Sequence, residues 1–559
     1  MGELEVFKFG NGCTAGERRR DSQEPLAAHG LKEDLETIAT VATGNLQELV
    51  AIDSESFEDS PTIPSSAGQN IILKALREKH ELLGYRCEQD QNANLIVRIP
   101  ATSAELAARP AVALMVHVDT SEGTRAIPEL CIQKQWDGTN VPYPNNPALN
   151  VSAARYPELA RFVGEDLIYG PGDYPFGLDD KLGCSILGTL AQLLRSNPEH
   201  RHGPVVLVFR PDEEIGRMAA VEGLAQQLAT EQIPCGFTLD GIEPFEVNIE
   251  SFNAAQAKIN RRSKFFELTP AVMAVTAEVS MVGVTTHGAT AKAEGHLNAT
   301  TIFSRLMQLL DNHPQIVPIG FVSDQKVESN GSARFVLSGN TTQEIALHGA
   351  LLEMALERVV GPHAWKGASY RIETKEYDGA LLDDGAINLA KFLHQFYLQD
   401  TGFPLYPEES AGREGYSNPY FASTENQQLT IRIRLRDFET AELENRIQHA
   451  RYMTVRSFGE DGAQFEAEYQ YENMGPSMAG AQPLIELAQA AARKVGVEAP
   501  LLPIRGGTGV DPFVTRGVLV PNLGTGYFAP ESEKELTTRQ SMARHVQWIA
   551  ALLQEMAQD

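Results

Sequence analysis

A chain of 559 residues is too long for one compact core, so two or more domains are expected. Its composition, 42% hydrophobic and 22% charged, is that of a soluble globular protein. A formal net charge of -27 argues against nucleic acid or an anionic membrane as the main partner.

The first 35 residues read as an N-terminal extension. No apolar run follows Arg18–Arg20, so no signal peptide is expected, and Val6 breaks a myristoylation pattern. No apolar stretch approaches the length of a membrane span. Five scattered cysteines without CxxC spacing argue against a disulfide framework or a cysteine zinc site, which fits a reducing cytoplasm.

The segment 70-NIILKALREKHELLGY-85 has helical apolar spacing closed by Gly84. Strands are expected at 94-NLIVRIP-100 and 111-AVALMVHVDT-120, the second apolar on both faces as in a buried strand. Residues 135–160 read as a long polar stretch rich in Pro and Asn. A loop then feeds an amphipathic helix in 176-FGLDDKLGCSILGTLAQLLRS-196. The strand VVLVF ends in RPDEEIGR, a helix is expected from about Met218 to Gln227, and 235-CGFTLDG-241 is the next strand. This order predicts an α/β sheet with ligands at the carboxyl ends of its strands.

After about residue 248 the pattern changes to strands solvated on one face, as in 276-TAEVSMVG-283 and 428-QLTIRIRLRDF-438. From about 475 it returns to helix, apolar strand and a final helix over 539–556. The simplest architecture is one α/β domain interrupted by an inserted α+β domain.

Four places carry candidate chemistry. His117 and Asp119 end MVHVDT and, two apart on a strand, share a face. Asp179 and Asp180 precede a helix, Glu213 and Glu214 close VVLVFRPDEE, and Asp240 closes GFTLDG. A strand-end Asp alone is most often a turn or cap residue. One His and several carboxylates at successive strand ends of one sheet converge on a single rim, which is the ligand chemistry of a two-metal site.

In order, HVDT, GLDDK, RPDEEIG, TLDG, SFNAA, THGATAK, IRLRDF, YENM, PIRGGT and PNLGTG resemble the peptidase T (tripeptide aminopeptidase) group of the M20 metallopeptidases. The likeness spans roughly residues 40–255, 275–312 and 411–540. It implies a zinc-peptidase-like α/β catalytic domain with a mixed sheet, interrupted by an inserted α+β lid and dimerisation domain. The expected divisions are 1–35, 36–250, 251–472 (with an extra segment at about 314–410) and 473–559.

By the same resemblance His117, Asp179, Glu214 and Asp240 are metal ligands, Asp179 bridging two ions beside a cis Asp179–Asp180 peptide. Glu213 is the general base, and Asp119 orients His117. His287 in THGATAK stabilises the developing oxyanion, and Arg505, with Gly507 beside it in PIRGGT, receives a substrate carboxylate. Two divalent cations are implied, zinc first, with manganese or cobalt as alternatives. The implied partners are a small peptide substrate and a second copy of the chain through the lid.

Departures from the family pattern limit the carry-over. Gly288 and Ala289 stand where the family has Pro-Gly. The usual fifth ligand, a histidine after PNLxTG, is absent from 521-PNLGTGYFAPESEKELT-537, where alignment on Glu535 puts Glu531 at the ligand position; either Glu531 replaces the imidazole, or one ion is weakly held or absent. An all-oxygen second site suits Mn or Co better than Zn. Aminopeptidase action on tripeptides is the expectation; the rivals are an M20-type hydrolase of another amide and a non-catalytic, peptide- or partner-binding descendant.

Overall fold

The computed structural model describes residues 30–266, 273–284, 297–325, 327, 329–377, 382–399, 413, 415–504 and 506–558. Two large sheets organise them. The first has seven strands in the order Arg86–Gln89, Leu95–Ile99, Val205–Arg210, Val112–His117, Cys235–Gly241, Asn522–Gly524 and Val247–Asn248. Its centre is parallel: Val112–His117 runs alongside both Val205–Arg210 and Cys235–Gly241, and Asn522–Gly524 joins the latter in the same sense. Leu95–Ile99 and Val247–Asn248 pair antiparallel toward the edges, so the sheet is mixed.

The alternation of side chains explains why these segments are apolar throughout. Leu114 and Val116 point into a core built with Leu182, Ile186, Leu190 and Trp548. Ala113 and Met115 point to the opposite face, against Val221, Leu224, Leu228 and Phe513. With both faces covered by helices, polar groups find room only at the strand ends. The expected helix near 218–227 is a short 3-10 turn, Met218–Ala220, followed by Glu222–Thr230.

The second sheet has eight strands, all drawn from residues 253–471. On Gln428–Asp437 the apolar set Ile431, Ile433 and Leu435 faces the core under four helices, while Arg432 and Arg434 occupy the opposite face. Within the extra segment expected at about 314–410, the helices are Thr342–Val360, continued by a 3-10 turn, and Gly385–Gln399. The extra segment is part of the sheet rather than an appendage. Its strands Ile316–Ser323 and Gly331–Gly339 lie between Met273–Val282 and Tyr416–Ser423.

Residues 135–160 differ from their polar reading. They belong to a small layer around a three-stranded sheet of Cys131–Gln133, Leu167–Tyr169 and Leu536–Thr538. Trp136, Tyr143, Leu149, Tyr156 and Leu159 are buried there with Phe528. A few large aromatics spaced among Pro and Asn make this core, without any periodicity a sequence scan could detect.

Candidate metal centre

The parallel strands deliver their carboxyl ends to one rim. His117 closes its strand, 1% exposed, and its Nε2 lies 3.0 Å from Asp179 Oδ1 and 3.3 Å from Asp240 Oδ1. Asp179 arrives from the start of the Leu178–Ser196 helix, across a cis Asp179–Asp180 peptide. The preceding Gly177 has φ 81°, and a Cβ there would stand 2.6 Å from Thr120 Cγ2, so the approach to Asp179 needs glycine. Among the described residues, His117, Asp179 and Asp240 can offer one atom each within 4.8 Å of one another.

Asp119 acts differently from a simple partner of the ring. His117 Nδ1 lies 3.0 Å from the Asp119 carbonyl, and the Asp119 carboxylate 3.4 Å away. That carboxylate accepts the amide N–H of Glu213 at 2.9 Å and of Glu214 at 3.0 Å. One buried Asp therefore fixes both the imidazole and the turn that carries the two glutamates.

The glutamates then diverge. Glu213 Oε1 lies 3.4 Å from Arg210, a buried guanidinium that also donates to the Thr508 and Gly509 carbonyls. Burial, reinforced by Asp240 and opposed by Arg210, pushes the Glu213 carboxyl up to about 8. Burial, then repulsion from Asp179 and Glu531, holds Glu214 well above the usual carboxylate range. Glu214 Oε1 is buried with no hydrogen-bond partner in the protein.

Glu531 lines the same cavity as Asp179, Glu214 and Asp240, and its charge bears on Glu214. It sits at φ 53°, with its N–H donating to Glu535 Oε1 at 3.0 Å. Glu535 Oε2 accepts the amides of Phe176, Gly177 and Leu178 at 3.0, 2.9 and 3.3 Å. A single buried carboxylate thus ties the Asp179 loop to the Glu531 loop.

Two further residues went unnoticed in the sequence. Tyr527, buried in GTGYF, donates its hydroxyl to Asp179 Oδ2 at 2.7 Å. Asn522 Oδ1 accepts the Asp240 amide at 3.0 Å, and Asn522 Nδ2 donates to Asn248. Both lie in or beside the PNLGTG motif, which marked the segment but not these contacts. Gly507 lines the cavity, where an added Cβ would meet the Tyr471 ring at 3.0 Å. His287 and Arg505 lie outside the described residues.

The cavity, about 960 Å³, lies between the rim of the first sheet and one face of the second. At its rim stand the carboxylates of Asp179, Asp240, Glu213 and Glu214, with the buried Arg210 guanidinium beside Glu213. Such crowding of buried anions is costly unless cations compensate it. Carboxylate oxygens with one imidazole nitrogen, and the unpartnered Glu214 Oε1, fit divalent metal ions.

A sequence model of the peptidase family M20/M25/M40 matches residues 165–555, so the chain belongs to that family. Within it the chain resembles peptidase T. It is 24% identical over 516 residues to peptidase T of Macrococcus caseolyticus, covering 91% of this chain and 97% of that one. With peptidase T of Parabacteroides distasonis it shares 32% identity over 216 residues, 38% of this chain and 50% of the relative. In most of these matches the chain spans about half the relative's length. Among solved structures, aminopeptidase PepT from Bacillus cereus aligns with a TM-score of 0.50 at 16% identity, over 93% of this chain and 99% of that one. Human carnosine dipeptidase 1 aligns with 0.51 at 12% identity, over 95% and 100%. The fold is shared by both.

Proposed function

We propose that the protein is a metal-dependent peptidase that hydrolyses the amide bond of small peptides, acting as an aminopeptidase on tripeptides. The observation that supports this most directly is the convergence of His117, Asp179 and Asp240 within 4.8 Å, on the rim where Glu213 also stands. His117 and Asp240 would hold one divalent cation, Glu214 and Glu531 a second, with Asp179 between them. When bound, these ions would supply polarisation of the scissile carbonyl and a more acidic water.

The protein's own part is positional. Asp119 fixes the Glu213 backbone, and Arg210 lies beside its carboxylate. Glu213 takes the proton of the attacking water and returns it to the leaving amine. The acids of the rim favour a cationic amino end. Gly507 lines the cavity in close packing with the Tyr471 ring, where a side chain would collide, and would present its backbone to substrate. His287 and Arg505 keep their assigned roles, oxyanion stabilisation and carboxylate binding. Zinc is the expected ion at the His117 position, the all-oxygen position suiting manganese or cobalt. A cytoplasmic location and a dimer formed through the second sheet's domain complete the reading.

Glu213→Gln tests the assignment. Hydrolysis of a tripeptide should fall about 10²–10⁴-fold while metal content stays at two ions per chain. A metal-free protein without turnover on a peptide panel would instead favour a non-catalytic binding role. The replacement of histidine by Glu531 and the strands added to the second sheet favour a rival within the family, hydrolysis of another amide. A screen of N-acyl amino acids beside tripeptides separates that reading.

A further inference from the structure

Glu213, the proposed general base, is held at two ends by other parts of the chain. Its amide donates to Asp119, and its carboxylate lies beside Arg210, which closes the strand Val205–Arg210 in register with His117. The Arg210 side chain is buried, 2% exposed. Its Nη1 donates to the Gly509 carbonyl at 2.9 Å and its Nη2 to the Thr508 carbonyl at 2.6 Å. Glu213 Oε1 stands 3.4 Å from the same Nη2. Nε has no hydrogen-bond partner among the described residues.

An arginine buried for stability alone is expected to meet a carboxylate at close range through two nitrogens and to leave no N–H idle, because an unmatched buried cation is costly. Arg210 does neither. Its short contacts go to two consecutive carbonyls of one loop, in which Gly509 adopts φ 55°. A Cβ on Gly509 would stand 2.3 Å from Nη1, so the loop is shaped around the guanidinium. Gly506, Gly507 and Gly509 of this loop wall the cavity, and Thr508 is buried with its hydroxyl donating to Met474 Sδ at 3.6 Å. The planar fork of arginine can bridge such a wall to a carboxylate beside it, where an ammonium offers a single point.

We propose that Arg210 is a positioning residue for hydrolysis: clamped on the Thr508 and Gly509 carbonyls, it sets the place of the Glu213 carboxylate relative to the cavity wall. This rests on the peptidase reading above. Asp119 fixes the backbone of Glu213, but several rotatable bonds separate that backbone from the carboxylate, and Arg210 is the contact that limits them. Substrate lying against residues 506–509 and the base at the rim then share one support. A misplacement of the carboxylate by about 1 Å is enough to cost roughly 10²-fold in rate.

Two variants approach the contact from opposite ends: Arg210→Met removes the fork, and Gly509→Ala drives a methyl group against it. In the metal-loaded protein each should lower kcat for a tripeptide about 10–100-fold, with KM changed less than about threefold and metal content unaltered. The double variant should be within about twofold of Arg210→Met, because both changes act on one contact. Arg210→Lys, which keeps the charge and one point of attachment, should lie between Arg210→Met and the unaltered protein. In the metal-stripped protein, hydrogen exchange at the amides of residues 506–510 should quicken in Arg210→Met. Full kcat in either single variant, losses that multiply in the double variant, a loss carried by KM alone, or unaltered exchange would each overturn the proposal. If Arg210→Met does not fold or sheds metal, Gly509→Ala and Arg210→Lys decide: a kcat loss in both upholds the proposal, and full kcat in either overturns it. An unaltered protein that cleaves no peptide would instead bring down the peptidase reading, and the proposal with it.

Discussion

Tyr527 donates its hydroxyl to Asp179 Oδ2 at 2.7 Å, while His117 Nε2 sits 3.0 Å from the other oxygen of the same carboxylate. The carboxylate proposed to lie between two cations is thus held from both sides by the protein itself. Tyr527→Phe keeps the ring and removes the donor. The metal-stripped protein should lose about 1–3 kcal/mol of stability, measured by denaturant unfolding. An unaltered midpoint would show that this contact carries no weight.

Asp119 binds two consecutive backbone amides, so its loss should act on the whole glutamate turn. Asp119→Ala leaves both N–H groups buried without acceptors and is expected to cost roughly 2–5 kcal/mol. Metal affinity should fall about 10–100-fold, because His117 loses the neighbouring carboxylate at 3.4 Å, though its contact to the residue 119 carbonyl remains. Competition with a chromogenic chelator measures this. Asp119→Asn, which keeps one acceptor oxygen, should lie between.

Glu531 is assigned to the second ion on its place in the cavity and its influence on Glu214. Glu531→Ala should lower metal content from two ions to one, read by elemental analysis after dialysis. Glu531→His should restore the second ion and shift preference toward zinc. Full occupancy by two tightly held ions in the alanine variant would remove Glu531 from the ligand set.

His545 is the first histidine after PNLGTG, and the structure gives it a packing role. Its ring stacks on Phe245 at 4.0 Å; Nε2 accepts the Phe245 amide at 3.2 Å and Nδ1 lies 2.8 Å from the Ser541 carbonyl. Burial, with Arg544 and Arg161 adding repulsion, lowers its pKa to about 3. Unfolded, the ring titrates near its ordinary value of 6.5, so between the two values the unfolded chain binds more protons. The stabilisation is complete above about pH 6.5 and is lost as pH falls toward 3. Stability should drop by up to about 1.4 kcal/mol per pH unit from this group, and His545→Gln should flatten that slope. Denaturant unfolding at several pH values below 6.5 compares the two proteins.

The strand ends are legible because a buried parallel strand can place polar groups only where it emerges. His117, Glu214 and Asp240 follow apolar strands and Asp179 opens an amphipathic helix, so local pattern marks the positions, while their assignment as ligands comes from the family resemblance. Asn522, Tyr527 and the role of Glu535 are different. Their partners lie far along the chain, the Asn522–Asp240 bond spanning 282 residues, and nothing in GTGYF reveals which loop it will face. The aromatic layer of Trp136, Tyr143 and Tyr156 stays hidden for a related reason: its core is assembled from single side chains, not from a repeating face. The extra segment is legible as an addition to the second domain, but its strands enter the middle of a sheet whose order only tertiary pairing decides.

The late position of Asn522–Gly524 bears on how the protein is made. This strand completes the sheet beside Cys235–Gly241 only after the intervening 253–471 sheet has been synthesised. Until residue 535 leaves the ribosome, Asp179 lacks Tyr527, the Asp240 amide lacks Asn522, and the 176–178 amides lack Glu535. A nascent chain halted before that point would display acidic strand ends without their supports. These supports of the rim are thus contributed by one short stretch near the end of the chain, residues 522–535, which braces the 176–179 loop and the end of strand Cys235–Gly241 at once.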